Sequence, residues 1–329
     1  MAQKPKLSMY WASSCGGCEI ALVNLHERLL EVDRAFEFVF CPCLLDTKKK
    51  DIEALPAGGI AITFFNGAIR TAENEEMARL MREKSQLLIA FGACAVAGSI
   101  PALSNLHSRE AHLRTIYLEN PSLDNPDGAI PKLRTTVAEG ELELPEFFDG
   151  VRALRQVVDV DYSIPGCPPE PHQIWNIVEA AIEGKPLPPR GSVLGGGTSS
   201  VCKECARDKT DKKIRRLYRT YEIVPDSRRC LLEQGIVCMG IATRDGCGAL
   251  CPKVNMPCTG CYGAPEGAPD QGAQMLAALG SVLDPGEYKG MTEQEVAAGT
   301  DRAAAALADP AGTFYKYSLA DSILWRKPR

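Results

Sequence analysis

The sequence predicts an α/β protein, with a doubly wound parallel sheet in its first 185 residues and a loop-rich segment behind it. Over those residues short apolar runs alternate with amphipathic stretches, which is typical of strands and helices that wind a parallel sheet. A Gly- and Pro-rich stretch at 184–200 then has the composition of a linker. Eight of the fourteen cysteines follow between Cys202 and Cys261. Two differently built parts are therefore expected.

Five buried strands and three helices are expected in the first part. The strands are KLSMYWAS (6–13), FEFVFCPCLL (36–45), GGIAITFFNGA (58–68), QLLIAFGACA (86–95) and QVVDVDYSIPGC (156–167). The helices are 19–31, 74–84 with an acidic first turn, and PHQIWNIVEAAIEG, which ends at Gly184. Residues 105–155 are a long polar insertion, for which one helix is predicted near 146–155.

The second part has a different character, and four ranges describe the whole chain. They are a sheet domain at 1–185, a linker at 186–200, a cysteine-rich domain at 201–265 and a helical C-terminal segment at 266–329. Helices are expected near 209–220, where the sequence is basic, and at 271–282 and 291–308. Residues 201–265 are otherwise rich in Gly, Pro and Cys, so they bury too little apolar surface to order themselves. The cysteines must hold this domain together.

Composition and charge exclude several classes of protein. A formal net charge of −5, without a long block of Lys or Arg, argues against binding nucleic acid. No run approaches the roughly 20 apolar residues of a membrane helix, and the first residues contain neither a secretory apolar region nor a twin-arginine pair. We therefore expect a cytoplasmic protein without a membrane span. In that reducing compartment fourteen cysteines indicate metal or redox chemistry rather than disulfides.

Four cysteines of the first part follow strand ends. Cys15 and Cys18 come after the first predicted strand, Cys94 after the fourth and Cys167 after the fifth. The carboxyl ends of parallel strands meet at one edge of an open sheet, where α/β proteins place their sites. Four thiolates at one edge, among glycines that allow close approach, favour a single iron–sulfur cluster. The alternative is a thioredoxin-like CxxC with two unrelated buried cysteines.

Cys41 and Cys43 have no such partners. They lie two residues apart at the end of the second predicted strand, and no second pair stands at metal-ligand spacing. We expect both to be buried structural thiols.

The eight later cysteines divide into two sets of four. Sequential division is favoured because short loops are easier to close, which gives Cys202, Cys205, Cys230 and Cys238 as one set and Cys247, Cys251, Cys258 and Cys261 as the other. Four thiolates suit zinc almost as well as a 4Fe-4S cluster. Three clusters in one chain would make an electron path, whereas one cluster and two zinc ions would not. We therefore predict three 4Fe-4S clusters.

Three stretches resemble the small subunit of nickel–iron hydrogenases: SSCGGCE, GACAVAGSIP and VDYSIPGCPPEPHQIW. The similarity is greatest to the cytoplasmic, viologen-reducing branch associated with heterodisulfide reductase, and more distant to the cluster-bearing small subunit of complex I. It covers residues 5–185 closely and extends to about 265. The resemblance implies a flavodoxin-like first domain, with a proximal 4Fe-4S cluster on Cys15, Cys18, Cys94 and Cys167.

The resemblance also implies names for the two later clusters. The distal cluster of standard hydrogenases has a histidine three residues before a cysteine, and here both positions are cysteine, Cys202 and Cys205. The distal cluster would then be held by four cysteines, with Cys230 and Cys238 completing the set. The medial cluster, often a three-iron cluster with three cysteines, would here be a four-iron cluster on Cys247, Cys251, Cys258 and Cys261.

By the same resemblance the nickel–iron centre belongs to a partner. A large subunit needs two CxxC motifs, the second near its C-terminus and followed by a histidine. In this chain no CxxC has a histidine within a few residues, and the C-terminus has no cysteine. The implied partners are that large subunit and an iron–sulfur or flavin electron acceptor, such as a heterodisulfide reductase-like protein. Glu19 matches the glutamate that moves protons in this family, although it also fits a helix N-terminal charge.

Two other classes of function stay open at this point. One is an iron–sulfur electron-transfer subunit of a complex I-like machine that has lost nickel. The other is a zinc-stabilised scaffold without a redox role.

Overall fold

The computed structural model describes residues 4–325, except 211–212, 215, 285–289 and 308. The described residues form two compact units. One unit contains the chain up to Leu194, with Leu319–Asp321 and Trp325. The other contains Gly195–Ser318 and Ser322–Leu324. No described helix is both long and apolar enough to cross a membrane.

The described strands all lie in the first unit. They are β1 Lys6–Trp11, β2 Glu37–Phe40, β3 Ile60–Asn66, β4 Ile69–Thr71, β5 Ser85–Phe91, β6 Arg134–Val137, β7 Gly140–Glu143, β8 Phe147–Arg152 and β9 Tyr162–Ile164. Five of them form a parallel sheet in the order β2-β1-β3-β5-β9. Counted within the sheet this is the order 2-1-3-4-5, so the doubly wound, flavodoxin-like fold is confirmed.

The described helices of the first unit are α1 Gly17–Val23, α2 Leu29–Ala35, α3 Lys49–Glu53, α4 Ala72–Lys84, α5 Ala93–Ala97, α6 Arg109–Arg114 and α7 Pro171–Ile182. Those of the second are α8 Val201–Glu204, α9 Leu250–Lys253, α10 Gln271–Val282, α11 Glu293–Ala305 and α12 Pro310–Phe314. The helices expected at 74–84, 171–184, 271–282 and 291–308 are therefore confirmed.

The sheet is buried on both faces because its side chains alternate between two apolar cores. Met9 and Phe64 point to the core that contains Ile174 and Trp175 of α7. Their neighbours Tyr10 and Phe65 point to the opposite core, which contains Met77 and other residues of α4. This alternation fixes the register of each strand, since a slip of one residue would exchange the two faces.

Three predicted helices differ from the structure. The one at 19–31 is interrupted at His26, which has a φ of 54°, so that α1 and α2 are separate. Near 146–155 the prediction is wrong, because Phe147–Arg152 is a strand paired antiparallel with β4. Near 209–220 it is wrong for the described residues, which form isolated bridges such as Tyr218 with Ile236; residues 211–212 and 215 lie outside them.

Candidate iron–sulfur cluster sites

The first four cysteines lie where the parallel strands end. Cys15 follows β1, and Cys18 is in the first turn of α1. Cys94 is in α5, which begins after β5, and Cys167 follows β9. Two hydrogen bonds join the last two strand ends, from the Gly92 N–H to the Ile164 oxygen and from the Ala93 N–H to the Gly166 oxygen. The fold thus places all four thiols at the carboxyl edge of the sheet.

These four thiols interact with one another. Burial is the main cause that raises the pKa of Cys18 far above its usual range, and the charges of Cys94, Cys167 and Cys15 raise it further. Burial, followed by the charge of Cys167, raises the pKa of Cys94 to about 12. A buried thiol of such pKa stays protonated at neutral pH unless a metal replaces its proton. This environment fits thiols whose partner is a cation.

Two further observations concern the surroundings of these thiols. Gly92 has a φ of +83°, and a Cβ added there would lie 2.4 Å from the Sγ of Cys18, so only glycine fits. The fully buried hydroxyl of Ser99 has no hydrogen-bond partner of ordinary geometry among the described residues. It nevertheless lies beside two thiols, and it lowers the pKa of both Cys94 and Cys167 against the effect of burial. Hydrogen-bond donors at this position suit sulfur ligands.

Glu19 is buried beside this site. Asn66, the last residue of β3, donates its side-chain N–H groups to both carboxylate oxygens of Glu19, at 2.7 and 2.9 Å, and to the Ser14 hydroxyl at 2.9 Å. Burial raises the pKa of Glu19, and the Asn66 hydrogen bonds act in the opposite direction. A carboxyl in this environment can hold either a proton or a charge.

Cys41 and Cys43 are placed differently from the prediction. Cys41 is buried, and burial raises its pKa to about 12. Cys43 is exposed, so the prediction that both are buried is wrong for Cys43. The two sulfurs are 3.5 Å apart, because the loop that follows β2 turns back at once through the Leu44 N–H bond to the Cys41 oxygen.

In the second unit the predicted distal set comes together. Burial raises the pKa of Cys202 to about 12, and the charges of Cys238, Cys230 and Cys205 act in the same direction. A Cβ at Gly240 would lie 3.4 Å from the sulfur of Cys202 and 3.7 Å from that of Cys238, so these two thiols flank one glycine.

For the predicted medial set, the structure shows interactions within two pairs, Cys247 with Cys251 and Cys258 with Cys261. Burial is the main cause that raises the pKa of Cys247; backbone hydrogen bonds act against it, and the charges of Glu204 and then Cys251 raise the pKa further. Burial is also the main cause that raises the pKa of Cys258. The charge of Cys238, of the distal set, raises it further, and the charge of Cys261 does so more weakly. The Cys258 N–H also donates to the Cys238 sulfur at 3.3 Å. Among the described residues, no three His, Cys, Asp or Glu side chains converge closely enough for a single metal ion.

Polar side chains that the sequence did not identify tie these loops together. Arg207 donates to the backbone oxygens of Pro252, Asp226 and Arg229 and to the Asn255 side chain, which links the loops around Cys230 and Cys251. A second such residue, Glu204, accepts from the N–H groups on either side of Cys247, those of Gly246 and Gly248, each at 3.0 Å. The only signal of Glu204 and Arg207 in the sequence is their position, two residues after Cys202 and Cys205.

Comparison with known proteins is consistent with this geometry. Residues 15–181 match the family model described as NADH ubiquinone oxidoreductase, 20 Kd subunit. The iron–sulfur subunit of the F420-non-reducing hydrogenase of Archaeoglobus profundus is 41% identical, over 84% of this chain and 88% of its own length. The corresponding subunit of the F420-non-reducing hydrogenase of Methanothermobacter marburgensis is 34% identical, over 98% of this chain and 97% of its own length. The chain therefore belongs to the NADH ubiquinone oxidoreductase 20 Kd subunit family, among the small, iron–sulfur subunits of hydrogenases.

A solved structure shares the fold at lower identity. A chain of the NiFeSe hydrogenase of Dm. baculatum is similar with a TM-score of 0.51 and 20% identity, over 79% of this chain and 95% of that chain.

Proposed function

We propose that this chain is the electron-transfer small subunit of a nickel–iron hydrogenase. It would carry electrons, released from dihydrogen in a partner large subunit, through three 4Fe-4S clusters to an iron–sulfur or flavin acceptor such as a heterodisulfide reductase-like protein. The observation that most strongly supports this proposal is the convergence of four cysteines at one edge of the sheet, in a chain that belongs to the hydrogenase small subunits. These cysteines are Cys15, Cys18, Cys94 and Cys167. We place this complex in the cytoplasm.

The residues for the three clusters follow from the same proposal. Cys15, Cys18, Cys94 and Cys167 hold the proximal cluster in a sheet domain of residues 1–185. A cysteine-rich domain at 201–265 holds the other two, separated from the first by a linker at 186–200 and followed by a helical segment at 266–329. The distal ligands are Cys202, Cys205, Cys230 and Cys238, and the medial ligands are Cys247, Cys251, Cys258 and Cys261.

When bound, 4Fe-4S clusters supply one-electron transfer at low potential. The chain supplies the thiolates, and burial of Cys18 and Cys94 keeps water from them. Ser99 holds a hydroxyl donor beside two ligands. Glu19 accepts or releases a proton at its carboxylate, which Asn66 holds in place through both oxygens.

Disturbing the distal cluster tests this proposal. Cys202→Ser should weaken that cluster, because a serine oxygen is a poorer ligand than a thiolate for soft iron–sulfur centres. The purified complex should still exchange dihydrogen with deuterated water, while reduction of the acceptor protein falls sharply. Cys15→Ser should abolish assembly with the large subunit as well as electron flow.

Three outcomes would contradict the proposal. Unchanged acceptor reduction in Cys202→Ser, with the cluster demonstrably missing, would show that electrons leave by another route. A wild-type complex that reduces its acceptor from another donor, but exchanges no hydrogen, would be a complex I-like machine without nickel. A colourless, zinc-containing protein would be a scaffold.

A further inference from the structure

A hairpin in the polar insertion of the first unit has an unusual surface. It consists of β6 and β7 with the residues next to them, Leu133–Leu144, and we call it the insertion hairpin. Its strands pair antiparallel, with Thr135 opposite Leu142 and Arg134 opposite Glu143. The Leu144 N–H donates to the Leu133 oxygen at 2.9 Å and extends the pairing by one step. The hairpin forms a two-stranded sheet of its own.

The two faces of the insertion hairpin differ in chemistry. Residues directly opposite in an antiparallel pair share a face, and successive residues alternate between faces. One face therefore holds apolar and β-branched side chains, which are Leu133, Thr135, Val137, Leu142 and Leu144. The other holds Arg134, Thr136, Glu141 and Glu143, with an ion pair of 2.7 Å between Arg134 and Glu143. The hairpin is amphipathic, as a strand pair with one buried face would be.

The apolar face is nevertheless open to solvent. Leu142 is 59% exposed, Leu133 and Leu144 are 55% exposed, and Val137 is 37% exposed. An isolated two-stranded hairpin is only marginally stable in water, and contiguous exposed apolar surface marks interaction sites. The pattern is that of a surface that becomes buried on binding.

The charge of the insertion indicates what kind of partner surface this apolar face would bind. The polar insertion, residues 105–155, contains nine Asp and Glu but six Lys and Arg, a net charge of −3. Arg109, Arg114 and Arg134 are already paired with carboxylates of the same insertion. The excess negative charge therefore fits a partner surface that is apolar in the middle and surrounded by Lys and Arg.

The origin of the insertion indicates which protein carries that surface. The chain leaves the sheet at the end of β5, passes through α5 with Cys94, and then enters the insertion. It thus begins at the edge that carries Cys15, Cys18, Cys94 and Cys167. We infer that the apolar face of the insertion hairpin docks on the nickel–iron subunit, on an apolar surface with a basic rim. This inference rests on the proposed function, which directs the same edge of the sheet towards that subunit.

A double substitution tests the inference. Leu142→Thr with Leu144→Thr removes apolar surface and introduces β-branched residues, which suit a strand. The matched control is Ile182→Thr with Leu187→Thr, which changes two exposed apolar residues, one at the end of α7 and one in the segment that follows it. Binding of each anaerobically purified, cluster-containing chain to the purified nickel–iron subunit is measured at several salt concentrations. We expect at least about tenfold weaker binding for the hairpin variant, control binding like wild type, and wild-type association that slows as salt rises.

Other outcomes would overturn the inference. The inference is wrong if the hairpin variant binds the nickel–iron subunit as tightly as wild type does. It is also wrong if the variant loses self-association or binding of the acceptor but still binds the nickel–iron subunit. If the variant does not fold, backbone hydrogen exchange of residues 133–144 is measured in the wild-type chain instead. The inference requires slower exchange in the complex than in the free chain, and equal exchange would refute it. A cluster-containing wild-type chain that binds no nickel–iron subunit would instead refute the proposed function.

Discussion

Burial raises the pKa of the Cys94 and Cys167 thiols, and the hydroxyl of Ser99, which lies beside both, acts against this increase. Ser99 itself has a φ of 48° and is fully buried. A non-glycine residue in this conformation carries some strain, which the surrounding structure must offset. We interpret Ser99 as a hydrogen-bond donor to the sulfur ligands of the proximal cluster.

Ser99→Ala should make the reduction potential of the proximal cluster more negative. A donor to sulfur stabilises the reduced cluster, which carries more negative charge. Loss of one such bond, at about 1 kcal/mol, corresponds to roughly 40 mV for a one-electron couple. A redox titration that is monitored by electron paramagnetic resonance measures this shift in potential.

Ser104→Ala is the control, because Ser104 lies in the 3-10 helix Ile100–Leu106 that begins directly after Ser99, and bonds Pro101 and Arg70 instead. A proximal potential unchanged in Ser99→Ala would refute the role of its hydroxyl.

Neither Ser99 nor Asn66 could be predicted from the cysteine pattern. Asn66 ends the apolar run GGIAITFFN, and the one hint of its role in the sequence is that a polar residue stands at the end of a buried strand. Ser99 reaches the site only because the chain turns sharply after α5, and spacing along the sequence does not contain that turn. The cysteines themselves were placed correctly at strand ends, since a parallel sheet brings those ends to one edge.

At the scale of secondary-structure elements, Asp161 joins several parts of the sheet domain. Its Oδ2 accepts from Arg82 of α4 at 2.6 Å and from the Leu88 N–H of β5 at 2.8 Å. Its Oδ1 pairs with the exposed Arg190 at 3.1 Å. The carboxyl is buried, which by itself raises its pKa, but the bonds from Arg82 and Leu88 outweigh this and lower the pKa.

Asp161→Asn should destabilise the protein at neutral pH by about 1–3 kcal/mol, because Arg82 loses a buried charged partner. A lowered folded-state pKa gives stability that is present above the unfolded carboxyl pKa and is lost as pH falls through the folded value. The difference between wild type and variant should therefore narrow below about pH 4.

Urea unfolding of the anaerobic protein at several pH values measures this. Asp159→Asn is the matched control, since Asp159 is exposed and two residues away. A difference between wild type and Asp161→Asn that is independent of pH would contradict the ion-pair explanation.

The wrong helix predictions have local causes. Residues 146–155 were assigned to a helix, but β8 pairs with β4, and Asn105 bonds Val151 through both its amide and carbonyl groups. These partners are distant in sequence, so local periodicity did not contain them. Long-range pairing overrides propensity for short segments of this kind.

At the scale of the whole molecule, the two units are held in different ways. The first has two apolar cores on either side of its sheet. Between 201 and 265 the regular structure of the described residues is limited to the short helices α8 and α9, 3-10 turns and isolated β-bridges, joined by hydrogen bonds of residues such as Arg207. We attribute the folding of this range to its metal clusters.

Iron chelation should therefore make residues 200–265 sensitive to protease, while the sheet domain resists for longer. Limited proteolysis with mass spectrometry of the fragments, before and after verified loss of iron, measures this difference. Equal resistance of both parts after cluster loss would show that residues 200–265 fold without metal.

The grouping of the last eight cysteines is the part that spacing could not determine. Loop closure favours sequential sets, yet Cys258 lies directly beside Cys238 of the preceding set. Loops without regular structure can bring distant residues together in several ways, so the grouping stays a prediction. The total of twelve ligands does not depend on it.

Metal analysis of the anaerobically purified chain therefore tests the central claim most directly. Three 4Fe-4S clusters predict about twelve iron and about twelve acid-labile sulfide per chain, with essentially no zinc. Cys41 and Cys43, which we assign to no cluster, provide the control, since replacing both by serine should leave these values unchanged. A result near four iron together with about two zinc would contradict the three-cluster account.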